Sequence, residues 1–198
     1  IPWGQFQRDV ASSGWSPDAN ATIAATYVLP SSAYSIGANG AEFHTDLRIM
    51  NPGQSRATVT ASFYDQLSGQ TISRPPFLIP SRNQASFDNV LQSLFGRSLG
   101  SFGPIRIETT AALIVSSTTN NVNGCNSGAV NGLWLPGLDA TSATTAGLIV
   151  QLGLSQNPNT GYRSNLVFIN PGAQVAMVDA TLRRGDGSLV GSAKIGPL

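Results

Sequence analysis

From Phe43 to Met50 the chain alternates, with Phe43, Thr45, Leu47 and Ile49 on one side of an extended segment and His44, Asp46, Arg48 and Met50 on the other. A period of two belongs to a strand with one face on a core, so the first set is expected inward. Asn51-Pro52-Gly53 ends the run, because proline lacks the amide proton a ladder needs and glycine suits a tight turn. A second alternation follows, Ala57, Val59, Ala61 and Phe63 inward and Thr58, Thr60, Ser62 and Tyr64 outward. Beyond the Ser68-Gly69 turn a third strand is expected around Thr71-Ile72, which makes the segment a β-meander.

Between Asp88 and Gly96 the period changes. Val90, Leu91, Leu94 and Phe95 form one apolar stripe at helical spacing, predicting a two-turn helix that plugs one end of the sheets. Asp88 is its expected N-cap, and Gly96 takes the left-handed position past its end. Ile105–Glu108 and Ala112–Ser117 then supply two more strands, closing a sandwich of roughly seven. This first module spans 21–120, behind an N-terminal arm of residues 1–20.

The pattern then recurs. Residues 43–53 align without gaps on 162–172, with four identities, and Ala57, Val59, Ala61 and Phe63 fall on Ala176, Val178, Ala180 and Leu182. A third strand is expected around Leu189-Val190, after the turn at Asp186-Gly187. The Gly/Asn-rich stretch 121–145 reads as a linker, and 146–198 as a second module that shows only its opening meander. The turn residues of the two copies are Asn51, Pro52 and Gly53, and Asn170, Pro171 and Gly172. Either the sequence is a piece of a longer chain or the missing strands come from elsewhere, since an open half-sandwich exposes its inner face and unpaired strand edges.

Composition narrows the chemistry. The 198 residues carry a formal net charge of +1, and only 11% of them are charged. One lysine, Lys194, among ten arginines offers no basic face for nucleic acid. No apolar run approaches the roughly 20 residues of a membrane span, so no membrane insertion is expected. With one cysteine (Cys125), one histidine (His44) and two glutamates (Glu42, Glu108), no metal site and no cofactor is assigned. Asp and Asn side chains in the loops lack the D-x-D-x-D-G spacing that would fix calcium. A surface rich in Ser, Thr, Asn and Gly is expected in an exported β-protein, where the sequon Asn20-Ala21-Thr22 matters if the source glycosylates. The N-terminal Ile1-Pro2-Trp3-Gly4 reads as a processed end or a cut boundary.

The string Gly40 to Gly53, followed by Phe87-Asp88-Asn89-Val90-Leu91 and Leu94-Phe95-Gly96, resembles a repeated module of bacterial secreted and cell-surface proteins. In that group a TDL…NPG strand-turn, a short helix and a closing strand pair recur in tandem. The resemblance covers nearly the whole chain, and it implies export and an immunoglobulin-like fold but brings no catalytic residues. His44 stands where relatives often carry arginine, as Arg163 does in the second copy.

His44 and Asp46 share a strand face, a superficial hint of a triad, yet the second copy places Arg163 and Asn165 there. No G-x-S-x-G elbow, P-loop or dinucleotide fingerprint occurs, so no catalytic residue is assigned. Arg184-Gly185-Asp186 is a tripeptide that adhesion receptors read, but a hairpin demands such a turn anyway. Ile1, Trp3, Phe6, Trp15 and Trp134 are the candidate assembly contacts, with packing of arm and linker on the sandwiches as the plainer alternative.

The expected fold is therefore all-β: tandem immunoglobulin-like β-sandwiches, the second incomplete, with one short helix in the first. The expected function is a non-catalytic extracellular or cell-surface structural or adhesive protein that forms a fibre or layer by inter-subunit strand complementation. Donors are residues 1–10 or the strand Ala21 to Leu29. Partners are other copies of the chain or other surface proteins. The alternative is a carbohydrate- or protein-binding module of a larger secreted enzyme or adhesin, with a glycan as partner.

Overall fold

The computed structural model describes residues 22–37, 40–123, 132–150, 152–153 and 164–198. It divides into two compact units, 1–142 and 143–198. Each is all-β among its described residues apart from one α-helical turn and short 3-10 turns, and every strand pairing is antiparallel.

In the first unit the strands are β1 (Ala25–Ile36), β2 (Glu42–Asn51), β3 (Ala57–Tyr64), β4 (Thr71–Ser73), β5 (Phe77–Ile79), β6 (Asn83–Phe87), β7 (Ser101–Thr109), β8 (Ile114–Asn121), β9 (Gly132–Pro136) and β10 (Leu138–Asp139). They form one hydrogen-bonded sheet in the order β4-β3-β7-β1-β2-β8-β9, with β5 beside β3, β6 beside β2 and β10 beside β1. The sequence leads one to expect about seven strands in two facing sheets; here ten are continuous. The physical reason lies in β1. Its register with β7 slips between Leu29 and Ser32, where Pro30 has no amide to give. Before the slip β1 takes β10 on its other edge, at Tyr27 and Val28; after it β1 takes β2, at Tyr34 to Ile36. One strand changes neighbour, and the sheet turns about a single core.

That core is the set the alternation predicts. Leu47 and Ile49 of β2, Ala57, Val59, Ala61 and Phe63 of β3, and Ile105 and Ile107 of β7 are fully buried, with Leu29 of β1. Buried hydroxyls are bonded, which removes the desolvation cost of placing them there. Ser32 Oγ donates to the Gly103 carbonyl at 2.6 Å, and Thr45 Oγ1 takes the Ala33 amide at 2.8 Å and meets Thr119 Oγ1 at 2.7 Å.

The helix is shorter than expected and capped differently. Helix α1 spans only Val90–Ser93, with Asn89 at the N-cap in left-handed conformation, φ 42°. Asparagine tolerates that region better than most residues. The Asn89 amide donates to Asp46 Oδ1 at 2.9 Å, while Asp88, the expected cap, is held by Arg48 Nη2 at 2.6 Å. Gly96 does take the left-handed turn, φ +65°, and its amide reaches the Gln92 carbonyl at 3.0 Å. Val90, Leu91, Leu94 and Phe95 are all buried against the sheet.

The 121–145 segment also differs from its expectation. β8 runs to Asn121, and residues 132–139, read as linker, extend the first sheet: β9 pairs with β8 and β10 with β1. Gly137 permits this. A Cβ there would stand 2.6 Å from Val115 Cβ, and the Gly137 amide donates to the Val115 carbonyl at 2.8 Å. Cys125 and its neighbours 124–131 lie outside the described residues.

The second unit holds a hairpin, β11 (Val178–Arg183) and β12 (Leu189–Ile195), where the second meander is expected. Residues 164–170, aligned with β2, carry no strand pairing. In the first unit β2 is held by β1, β6 and β8; the described part of the second has no strand in those places.

Candidate assembly site: the open second unit

The two units share a register in the middle of their hairpins. In the first, Ser62 faces Ser73 and Phe63 faces Ile72; in the second, Thr181 faces Ser192 and Leu182 faces Gly191, each position shifted by 119. The turn repeats as well. Asn51 Nδ2 donates to the carbonyls of Ser55 and Ile79, at 2.8 and 3.0 Å, and its Oδ1 takes the Gly53 amide at 2.9 Å. Asn170 Nδ2 donates to Gln174 and Leu198, at 2.6 and 3.1 Å, and its Oδ1 takes the Gly172 amide at 3.0 Å. The backbones of Ala176 and Leu198 pair in both directions, at the positions where Ala57 and Ile79 face each other in the first unit. Pro52 and Pro171 follow these asparagines in the turns.

Burial separates the copies. Leu29, Leu47 and Phe63 are fully buried, whereas Leu148, Leu166 and Leu182, 119 positions on, are 89%, 44% and 47% exposed. Val178 and Ala180 are half-buried where Val59 and Ala61 are fully buried. Among the described residues, the second unit carries apolar side chains at the inner-face positions of the repeat, and these are exposed or half-buried. Among the described residues β11 pairs only with β12, and none pairs with the edge that corresponds to the β3 edge held by β7.

Other sites singled out in the sequence are placed as follows. Ile1, Trp3, Phe6 and Trp15 lie outside the described residues. Trp134 stands on β9, 61% exposed, and so does not pack into the sheet core. The Ala21 to Leu29 segment is no free donor, because residues 25–29 belong to β1 and pair with β7. His44 Nε2 bonds Glu42 Oε1 at 2.8 Å, and Asp46 is bonded to the Asn89 amide, so these two side chains are each turned to another partner. Arg184-Gly185-Asp186 does form the turn of the β11–β12 hairpin, where the Ser188 hydroxyl and amide hold the Asp186 carboxyl below its usual range. Among the described residues no group of three His, Cys, Asp or Glu is placed to hold a metal, and no helix is long and apolar enough to cross a membrane.

The duplication reaches further than the meander, and the signal is in the sequence. Trp15-Ser16-Pro17 and Trp134-Leu135-Pro136, Ala21-Thr22 and Ala140-Thr141, and Leu29 and Leu148 all keep the 119-residue spacing. A self-comparison anchored only on the NPG turn misses them, because the intervening identities are sparse.

No protein-family model and no curated protein matches the chain. Among solved structures it is similar to the crystal structure of Thermotoga maritima 1070, at 18% identity over 59% of this chain and 94% of that one, TM-score 0.46. It is also similar to the Anabaena sensory rhodopsin transducer, at 18% identity over 48% of this chain and 96% of that one, TM-score 0.37.

Proposed function

We propose that this chain is a non-catalytic, extracellular or cell-surface structural protein built of tandem immunoglobulin-like modules, and that it assembles by β-strand complementation of its second unit. The reading is supported by one observation above the rest: the second unit repeats the register and turn of the first while exposing the positions that the first buries. An uncovered apolar face beside an unpaired strand edge favours addition of a strand from another chain. The donor in this reading is the arm of residues 1–10 of a second copy, with Ile1, Trp3 and Phe6 as its apolar contacts. Donation by the 21–29 segment is set aside, since its strand is already paired on both edges.

Light scattering across a concentration series, on the full chain and on a chain lacking residues 1–10, tests this. The expected result is a mass that grows with concentration and falls to the monomer on deletion. A monomer at every concentration, or assembly indifferent to the deletion, overturns it.

A further inference from the structure

In the first unit the edge of β3 is covered by β7, with Val59, Ala61 and Phe63 opposite Thr109, Ile107 and Ile105. Two features of β7 make the fit. Ile105 and Ile107 are fully buried in the core, and the less buried Phe102, Arg106 and Glu108 alternate with them. Gly103 is the second feature: a Cβ there would overlap the Tyr64 carbonyl oxygen, so only glycine can pass the end of β3. Beside it the Phe102 carbonyl accepts the Gln66 amide at 3.0 Å.

Residues 2–10 carry the same pattern in the same order. Aligned without gaps on Ser101–Thr109, they set Trp3 on Phe102, Gly4 on Gly103, Phe6 on Ile105, Asp9 on Glu108 and Val10 on Thr109. An aromatic residue before a glycine, an apolar residue two places on, and an acid before a β-branched residue all recur. Arg8, on Ile107, departs from the pattern. Its place faces the half-buried Ala180, where an arginine can lay its aliphatic stem on apolar surface and leave the guanidinium in water.

The receiving edge keeps the features of β3. Val178, Ala180 and Leu182 stand for Val59, Ala61 and Phe63, and Arg183 for Tyr64. The hairpin beyond closes alike, the Arg184 amide on the Ser188 carbonyl at 2.9 Å as the Asp65 amide on the Gln70 carbonyl at 2.8 Å. In the first unit the place beside β3 is filled by β7 itself; among the described residues nothing fills it beside β11.

We infer that residues 2–10 of a second copy replicate β7 and lie antiparallel on β11 in its register, with Phe6 opposite Leu182, Val10 opposite Val178 and Gly4 passing the Arg183 carbonyl. The inference rests on the assembly reading and gives it a register and a direction. The same register sets Asp9 opposite Asp179, whose carboxylate holds Lys194 at 2.8 Å. Two directly opposed acids repel, so this joint is tighter with one of them neutral.

Competition by synthetic peptides of residues 1–10 tests the register without altering the chain. Added in excess to the assembled full chain, the native peptide should bring the mass seen by light scattering down to the monomer, and a Gly4→Ala peptide should bind roughly tenfold more weakly or worse. On a Cys125→Ser background, Phe6→Cys with Leu182→Cys should link neighbouring chains by a disulfide, since directly opposed Cβ atoms stand about 5 Å apart. Phe6→Cys with Thr181→Cys, on opposite faces, should not. Asp9→Asn should tighten association by up to about fivefold. Arm-dependent assembly in which the two peptides compete equally, in which only the Thr181 pair links, or which Asp9→Asn weakens, overturns the register and leaves the assembly reading standing. A disulfide closed within a monomer overturns donation by a second copy, and a chain that stays monomeric at every concentration overturns both.

Discussion

Asp65 and Arg97 form an ion pair of 2.6 Å in which the aspartate side chain is only 2% exposed. It ties the end of β3 to the exit of α1, since Arg97 also gives its backbone amide to the Leu91 carbonyl. Burial pushes the Asp65 carboxyl up, but the Ser68 hydroxyl, the Leu67 amide and the Arg97 guanidinium together hold it below its usual value. A carboxylate depressed in the folded state adds stability that is complete above the unfolded value, about 3.9, and is lost as pH falls through the folded one. Asp65→Asn strands a largely buried guanidinium and should cost about 3 kcal/mol at neutral pH. Urea titrations should show that gap constant from neutrality to about pH 5 and shrinking below about pH 4. A gap that survives undiminished in strong acid refutes the assignment.

Asn51→Ala and Asn170→Ala should differ although the two turns share their bonds. The Asn51 side chain is fully buried and serves the carbonyls of Ser55, Ile79 and Pro80, so its loss leaves the buried Ile79 carbonyl without its partner. About 3 kcal/mol is expected there and about 1 kcal/mol at Asn170, whose bonds are solvent-exposed. Denaturant midpoints of the two variants measure it, and equal losses would contradict the difference in burial.

Gly137→Ala should loosen β9 selectively. The new methyl would meet Val115 Cβ at 2.6 Å, and β9 is the outermost strand of the sheet, so the strand yields before the core does. Amide exchange at 133–135 should accelerate by more than tenfold, with the exchange of β3 and β7 amides unchanged. Uniform acceleration would mean that 132–139 is integral to the core, in conflict with its exposure.

The alternation at 43–50 and 57–63 was legible because one face of each strand is buried, and burial writes a period of two into the sequence. The Asn89 cap was not, because the choice between Asp88 and Asn89 depends on Arg48, a strand away, drawing off the aspartate. The path of 132–139 was hidden for a similar reason: Gly, Asn and Pro dominate its surroundings, and only its closeness to Val115 explains why glycine stands at 137. As for the sites, an exposed Trp134 could not be told from a packed one by spacing. The second unit's exposure is legible only by comparison, since its sequence pattern is that of a buried face.

Phe63 and Leu182 turn that comparison into a measurement. Both occupy the inner face of the second meander strand, in the same register with their hairpin partners. Phe63 is fully buried and Leu182 is 47% exposed. Phe63→Ala should therefore cost about 3–5 kcal/mol, the range for an aromatic removed from a packed core. Leu182→Ala in the unassembled chain should stay within about 0.5 kcal/mol, as for a surface site. If a strand from another chain covers the face, assembled protein gives a different answer: Leu182 then sits where Phe63 sits, and its truncation weakens association. Measuring both variants by denaturation at low concentration and by light scattering at high concentration separates the two states. A large stability loss for Leu182→Ala in the dilute monomer would mean that the face is already covered within the chain, and complementation would have nothing to cover.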